Sequence, residues 1–182
     1  MTQPRPRASA EPSSIRPEDR GLYSVAQIQH LLRLEFARAQ RYAYPLSALL
    51  LCVDQLDALR DRHGYEFKEE VLERVVELLK RATRSSDFLG RTADDRLVLL
   101  LPHTPASGAR TLAARLIETA DALASELGGS QARISLSVGF ATSSGEDTLF
   151  HDALLVAAEQ ALDEAVAQGG GRFQERRVGP QG

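Results

Sequence analysis

Arg91-Thr92-Ala93-Asp94-Asp95-Arg96-Leu97-Val98-Leu99-Leu100-Leu101-Pro102 is the stretch on which the reading of this chain turns. A polar run is followed by five apolar residues and a proline. Phe88 to Arg91 on one side and Leu97 to Leu101 on the other read as short strands, and the residues between them as a hairpin turn. Asp94 and Asp95 suit such a turn, because an Asp side chain can hydrogen-bond nearby backbone. Outward from the hairpin, Leu46 to Val53 is an unbroken apolar run, the pattern of a strand buried on both faces. Between these strands, Gly64 breaks a helical segment. Lys68 to Thr83 then carries Val71, Leu72, Val75, Leu78 and Leu79 at helical spacing.

The same reading extends to both ends. A helix is expected from Ser24, which can cap it, to a stop at Pro45. A helix after a loop is expected over Pro102 to Leu127, ended by Gly128-Gly129. Ile134 to Ala141 alternates through Ile134, Leu136, Val138 and Phe140, as a half-buried strand would. Thr148 to Ala167 is an Ala-rich helix stopped by Gly169-Gly170-Gly171, and Arg172 to Val178 a last short strand. Helices and strands alternating around one hairpin predict an α+β domain, with helices packed over a largely antiparallel sheet. Residues 1–18, rich in Pro, Ser and Arg, are expected to be a disordered tail. Residues 19–178 then form the domain and 179–182 a short C-terminal tail.

The 182 residues suffice for one domain with a sizeable core. A formal charge of −3 gives no reason to expect a nucleic-acid partner. The four His lack metal-ligand spacing. Cys52, the single cysteine, excludes an intrachain disulfide, and its apolar flanks suit an inert core thiol. No apolar run is long enough to span a bilayer, and the N-terminus has no apolar leader segment. A cytoplasmic protein with no membrane association is the expectation.

Several blocks together resemble the GGDEF family, the diguanylate cyclases. In that family an Arg-x-Gly-Gly-Asp/Glu-Glu-Phe turn joins the two hairpin strands, and the second strand ends in Pro. Here Ala93-Asp94-Asp95-Arg96-Leu97 occupies the signature. Gly21-Leu22-Tyr23 matches the family's Gly-Leu-x-Asn-Arg block, and Leu49-Leu50-Leu51-Cys52-Val53-Asp54 its apolar strand ending Asp-x-Asp. Gly64 sits at the family's Gly-His, Ser135-Leu136-Ser137-Val138-Gly139 at its Val-Ser-Ile-Gly strand, and Ala157-Ala158-Glu159-Gln160-Ala161-Leu162 at its Arg-Ala-Asp-x-Ala-Leu helix. The resemblance implies a nucleotide-cyclase-like palm with a ferredoxin-like βαββαβ core.

It also implies what has been lost. The cyclase reaction joins two GTP by attack of a 3′-hydroxyl on an α-phosphate, and it uses metal ions to stabilise the charge that develops. Hard divalent ions want carboxylate oxygens. One of the family's metal carboxylates falls on Cys52, a poor Mg²⁺ ligand. The other is retained as Asp95. The signature Glu falls on Arg96, and the second glycine on Asp94, which adds a negative charge where phosphates would lie. The family's base-reading Asn and Asp fall on Arg60 and Glu69, and its two lysines on Asp57 and Val166. The rival readings at the turn are an ordinary hairpin and a new metal site built from Asp54, Asp94 and Asp95.

What remains is Arg84-Ser85-Ser86-Asp87, at the place of the family's Arg-x-x-Asp product-binding motif. Arg115, in Ala113-Ala114-Arg115-Leu116, matches a further arginine that clasps the ligand. A guanidinium can hold phosphate oxygens in bidentate fashion and stack on a base. A carboxylate can accept both guanine N1–H and N2–H. The resemblance therefore implies a domain that binds cyclic di-GMP through Arg84, Asp87 and Arg115, needs no cofactor, and signals through a protein partner. In the family the ligand often binds as an intercalated dimer that can cross-link two domains, so a ligand-dependent homodimer is implied. Two alternatives stand beside it. One is an interaction module blind to nucleotides, in which Arg84 and Asp87 form only a surface ion pair. The other is a residual cyclase that would need Mg²⁺ and rely on Asp54 and Asp95.

Overall fold

The computed structural model describes residues 21–126, 134–145 and 150–178. The expected tails at 1–18 and 179–182, the stop at Gly128-Gly129 and the helix start at Thr148 lie outside the described residues. The elements in chain order are α1 (Val25–Tyr42), β1 (Leu46–Val53), α2 (Leu56–His63), α3 (Tyr65–Ala82), β2 (Phe88–Arg91), β3 (Leu97–Pro102), α4 (Ala106–Glu126), β4 (Leu136–Ser143), α5 (His151–Ala167) and β5 (Phe173–Arg177). The five strands form one sheet in the order β2-β3-β1-β4-β5. All neighbours are antiparallel except β4 and β5. No helix among the described residues is long and apolar enough to cross a membrane.

The sheet is covered on both faces, and the pleat divides the strands between two cores. Leu49, Leu51, Leu97, Leu99 and Leu101 pack with α3 and α4. Leu46, Ala48, Leu50, Val98 and Leu100 pack with α1 and α5. This is why β1 and β3 read as continuous apolar runs. At the edge of the sheet, Tyr23 bridges to Gly90: its N–H donates to the Leu89 carbonyl at 2.9 Å, and the Arg91 N–H to its carbonyl at 3.1 Å.

Local chemistry explains most boundaries. Ser24 caps α1 with a reciprocal bond to Gln27. The helix stops at Tyr42 because Ala43 turns left-handed (φ 51°), before Pro45 is reached. Gly64, at φ 93°, lets α2 turn into α3. Pro102 closes β3, and α4 begins only at Ala106, four residues later than expected.

β4 corrects the expectation of a half-buried strand. It runs two residues further along the chain than expected and is buried on both faces. Its large residues Leu136, Val138 and Phe140 face the α3–α4 core. The intervening positions Ser137, Gly139 and Ala141 are small, and α5 lies directly on Gly139. A Cβ on Gly139 would stand 2.0 Å from the Leu162 backbone nitrogen and 2.3 Å from the Ala158 carbonyl oxygen. Alternation of large and small thus imitated alternation of buried and exposed.

Candidate functional site

Two hollows collect the chemistry-bearing residues. The first lies where the end of β1, the β2–β3 turn and the second half of α5 meet. It has a volume of about 510 Å³ and is lined by Cys52, Asp54, Asp94, Asp95, Arg96 and Asp163 among others. All five positions of the altered signature region are therefore brought together.

Each charged group of the turn is already engaged. Asp54 accepts from the hydroxyls of Ser135 (2.7 Å) and Ser137 (2.6 Å) and from the Gly171 N–H (2.8 Å). It ties the α5–β5 loop to β4. Asp95 sits at φ 64° in the hairpin. Its carboxylate lies 2.5 Å from Lys68 Nζ and accepts from Arg91 at 2.5 and 3.1 Å. Burial pushes this carboxyl up, but the Lys68 and Arg91 cations outweigh burial and hold it below the usual carboxylate range. Arg91 also faces Glu69 at 3.6 Å. Arg96 reaches from the turn across to α5, with Asp94 at 3.1 Å, Glu159 at 3.3 Å and Asp163 at 3.5 Å. Burial, and then the nearby Asp54 charge, push the Cys52 thiol up to about 11, so it stays protonated at neutral pH.

The positions matched to the family's base-reading residues and lysines make contacts of their own or face solvent. Arg60 is paired with Asp57 and Asp61, both at 3.0 Å, Glu69 faces Arg91, and Val166 is exposed.

Sequence reasoning missed the partners of Asp95. Lys68 is 9% exposed and sits three and four residues before Val71 and Leu72, on the inward face of α3. A lysine in an apolar stripe needs an anionic partner, and that was the available signal. Nothing local indicated that the partner would come from the hairpin.

The second hollow, about 520 Å³, lies between the α3–β2 turn and α4. It is lined by Arg84, Asp87 and Arg115, with Leu101, Thr104 and Thr111 among the rest. The three residues predicted from the sequence thus converge. Arg84 and Asp87 do not form the surface ion pair considered above. Asp87 Oδ2 accepts instead from the Arg84 backbone N–H at 2.7 Å, and the Asp87 N–H donates to the Arg84 carbonyl at 3.1 Å. The turn is locked through the backbone, and the guanidinium is left to the hollow. Arg115 donates to the Ala82 carbonyl at 3.0 Å. Asp87 Oδ1 is buried with no hydrogen-bond partner among the described residues. Burial pushes the Asp87 carboxyl above its ordinary range, against the lowering effects of the Arg84 N–H and charge.

Residues 20–172 match the family model described as "Diguanylate cyclase, GGDEF domain". Among curated relatives, diguanylate cyclase DgcP of Pseudomonas aeruginosa is 28% identical over 85% of this chain and 23% of its own length. Diguanylate cyclase DosC of Escherichia coli is 29% identical over 79% of this chain and 31% of its own. The chain thus spans less than a third of the length of these relatives. Among solved structures, the FimX GGDEF domain from Pseudomonas aeruginosa superposes with a TM-score of 0.79 at 22% identity, covering 90% of this chain and 99% of that one. The GGDEF domain of DgcB from Caulobacter crescentus, solved in complex with c-di-GMP, gives 0.77 at 16% identity, covering 94% and 99%.

Proposed function

The chain belongs to the GGDEF family of diguanylate cyclase domains, and from that premise we propose that it is a cyclic di-GMP receptor that no longer turns over GTP. The observation that carries this reading is the hollow lined by Arg84, Asp87 and Arg115. The hollow joins two guanidinium groups to a carboxylate whose Oδ1 is buried and unpartnered. Arg84 is placed to hold a phosphate or stack on a purine, because its side chain is not spent on Asp87. A guanine N–H that reaches Asp87 Oδ1 satisfies a buried acceptor, which makes that bond worth more than one to an already paired oxygen. Arg115, braced on the Ala82 carbonyl, adds charge from the facing helix.

The first hollow supports the loss of turnover. The family's reaction uses divalent metal ions, and the donor set here does not fit one. A protonated thiol stands at one carboxylate position. Asp54 is engaged by two hydroxyls and an N–H. Asp95 is neutralised by Lys68 and Arg91, and Asp94 is held by Arg96. Cationic side chains compensate these carboxylates from inside the protein. The signal then passes to a protein partner, or to a second copy bridged by ligand.

Calorimetric titration tests the reading, with cyclic di-GMP added to wild type and to Arg84→Ala, and GTP as a second ligand. Micromolar or tighter binding by wild type is expected. Arg84→Ala should weaken it by about 2–4 kcal/mol, a factor of roughly 30 to 1,000. No binding by wild type overturns the receptor, and turnover of GTP overturns the inactive cleft.

A further inference from the structure

The outer faces of α1 and α3 carry opposite charge. On α1, His30, Leu34, Ala37 and Arg41 recur at i, i+4, i+7 and i+11, flanked by Arg33 and Arg38, and all are exposed. The helix has one acidic residue, Glu35, and it is buried. There it accepts from the Tyr44 hydroxyl at 2.8 Å and from Arg38 at 2.9 Å. The exposed face is therefore basic, with Leu34 47% exposed at its centre. Among the described residues Arg33 has no ion-pair partner, and Arg41 lies only over the neighbouring Tyr42 ring.

On α3 the same spacing carries Glu66, Glu70, Glu73 and Glu77, all exposed. Glu77 is paired with Arg74 and Arg81 at the C-terminal end. Glu66, Glu70 and Glu73 have no ion-pair partner among the described residues. Acidic residues early in a helix suit its dipole, but that accounts for the first turn and not for a row along most of the helix. The two faces cannot satisfy each other within one chain. α1 packs on one side of the sheet and α3 on the other.

We propose that the basic outer face of α1 docks on the acidic outer face of α3 of a second copy of this chain. The two rows of charge match in spacing. Arg33 and Arg41 are separated by about 12 Å along their helix axis, and Glu66 and Glu73 by about 10.5 Å. Leu34 and Ala37 lie between the arginines and give the contact a small apolar centre. Because the patches lie on opposite sides of the sheet, one partner does not cover both; the contact is head-to-tail and extends into a chain or closes into a ring. Its energy is mostly electrostatic between exposed groups, so it is weak and salt-sensitive. It requires no nucleotide, and it stands or falls separately from the receptor reading.

The test is sedimentation velocity on the full chain without nucleotide, over a range of concentrations at low and high ionic strength. Wild type is expected to sediment faster with increasing concentration at low salt and to lose that dependence at high salt. R33E/R41E alone and E66R/E73R alone should each stay monomeric. An equal mixture of the two should associate, as should one chain carrying all four reversals, because opposite faces then meet again. This rescue separates the proposal from a folding defect. A wild type that stays monomeric at low salt overturns it, as does association that survives either reversal or a mixture that fails to associate.

Discussion

The hairpin turn and the α3–β2 turn stand at the two ends of β2 and treat their charges in opposite ways. At the hairpin every carboxylate has found a partner inside the protein: Asp54 the Ser135 and Ser137 hydroxyls, Asp95 Lys68 and Arg91, Asp94 Arg96. At the α3–β2 turn the backbone locks the loop, so the Arg84 side chain and one oxygen of Asp87 are left over. Charge that is internally neutralised serves stability. Charge held in place but left unpaired is what a ligand can use.

The sharpest way to break this contrast is to remove Lys68. Lys68→Ala strands Asp95 beside Arg91 at a site where the lysine side chain is 11% exposed. Because Arg91 still holds Asp95, loss of the charge-assisted Lys68 bond costs about 2–3 kcal/mol, to be read as a shift in the urea midpoint. Arg84→Ala, on an exposed turn, should move that midpoint by less than about 0.5 kcal/mol while removing ligand affinity. Equal destabilisation by the two variants would erase the distinction between the turns.

Asp54→Ala comes next. It leaves two hydroxyls and the Gly171 N–H to find water, at a cost of about 2–3 kcal/mol by the same measurement, with cyclic di-GMP affinity unchanged. An affinity loss matching that of Arg84→Ala would mean that the two hollows act as one.

The two aspartates should also separate on acidification. Both start from an ordinary carboxyl near pH 3.9, and the fold moves them in opposite directions. As pH falls, Asp87 should protonate first, above that value, and ligand affinity should drop with it. Protonation there relieves a buried charge, so it favours the fold. Asp95 should protonate last. Its stabilising contribution is complete above the ordinary value and is lost as pH falls through the lowered one. Carboxyl carbon shifts followed by NMR against pH give the order directly, and the reverse order would contradict the packing described above.

The smallest effect is expected from Arg96→Glu, which restores the acidic letter of the family signature. It should cost less than about 1 kcal/mol, since the pairs it breaks are partly exposed. No GTP turnover with Mg²⁺ is expected of this variant, because a thiol, Cys52, still stands where the family has a metal carboxylate. Turnover in this variant would show that the cleft is one residue from activity.

Much of this was legible in the chain. Leu46–Val53 read as a strand covered on both faces, and so it is. The hairpin over Phe88 to Pro102 appears where the polar turn placed it. Arg84, Asp87 and Arg115, matched through a motif at a fixed offset, line one hollow. β4 misleads, because Gly139 is small to admit α5 and Ser137 is polar for Asp54, not for water. Pro102 was read as the start of a helix, and it is the end of a strand.

By itself, then, the sequence determined the type of most elements, their order, and the family. All of these are written in local periodicity, turn chemistry and residue identity. Only the tertiary structure decided which charge meets which. Lys68 and Asp95 come from α3 and the hairpin, Asp54 and Gly171 from opposite ends of the domain, and Arg84 and Arg115 from opposite walls of one hollow. Pairing across such separations is set by how helices pack on a sheet, and no pattern of neighbours along the chain encodes it.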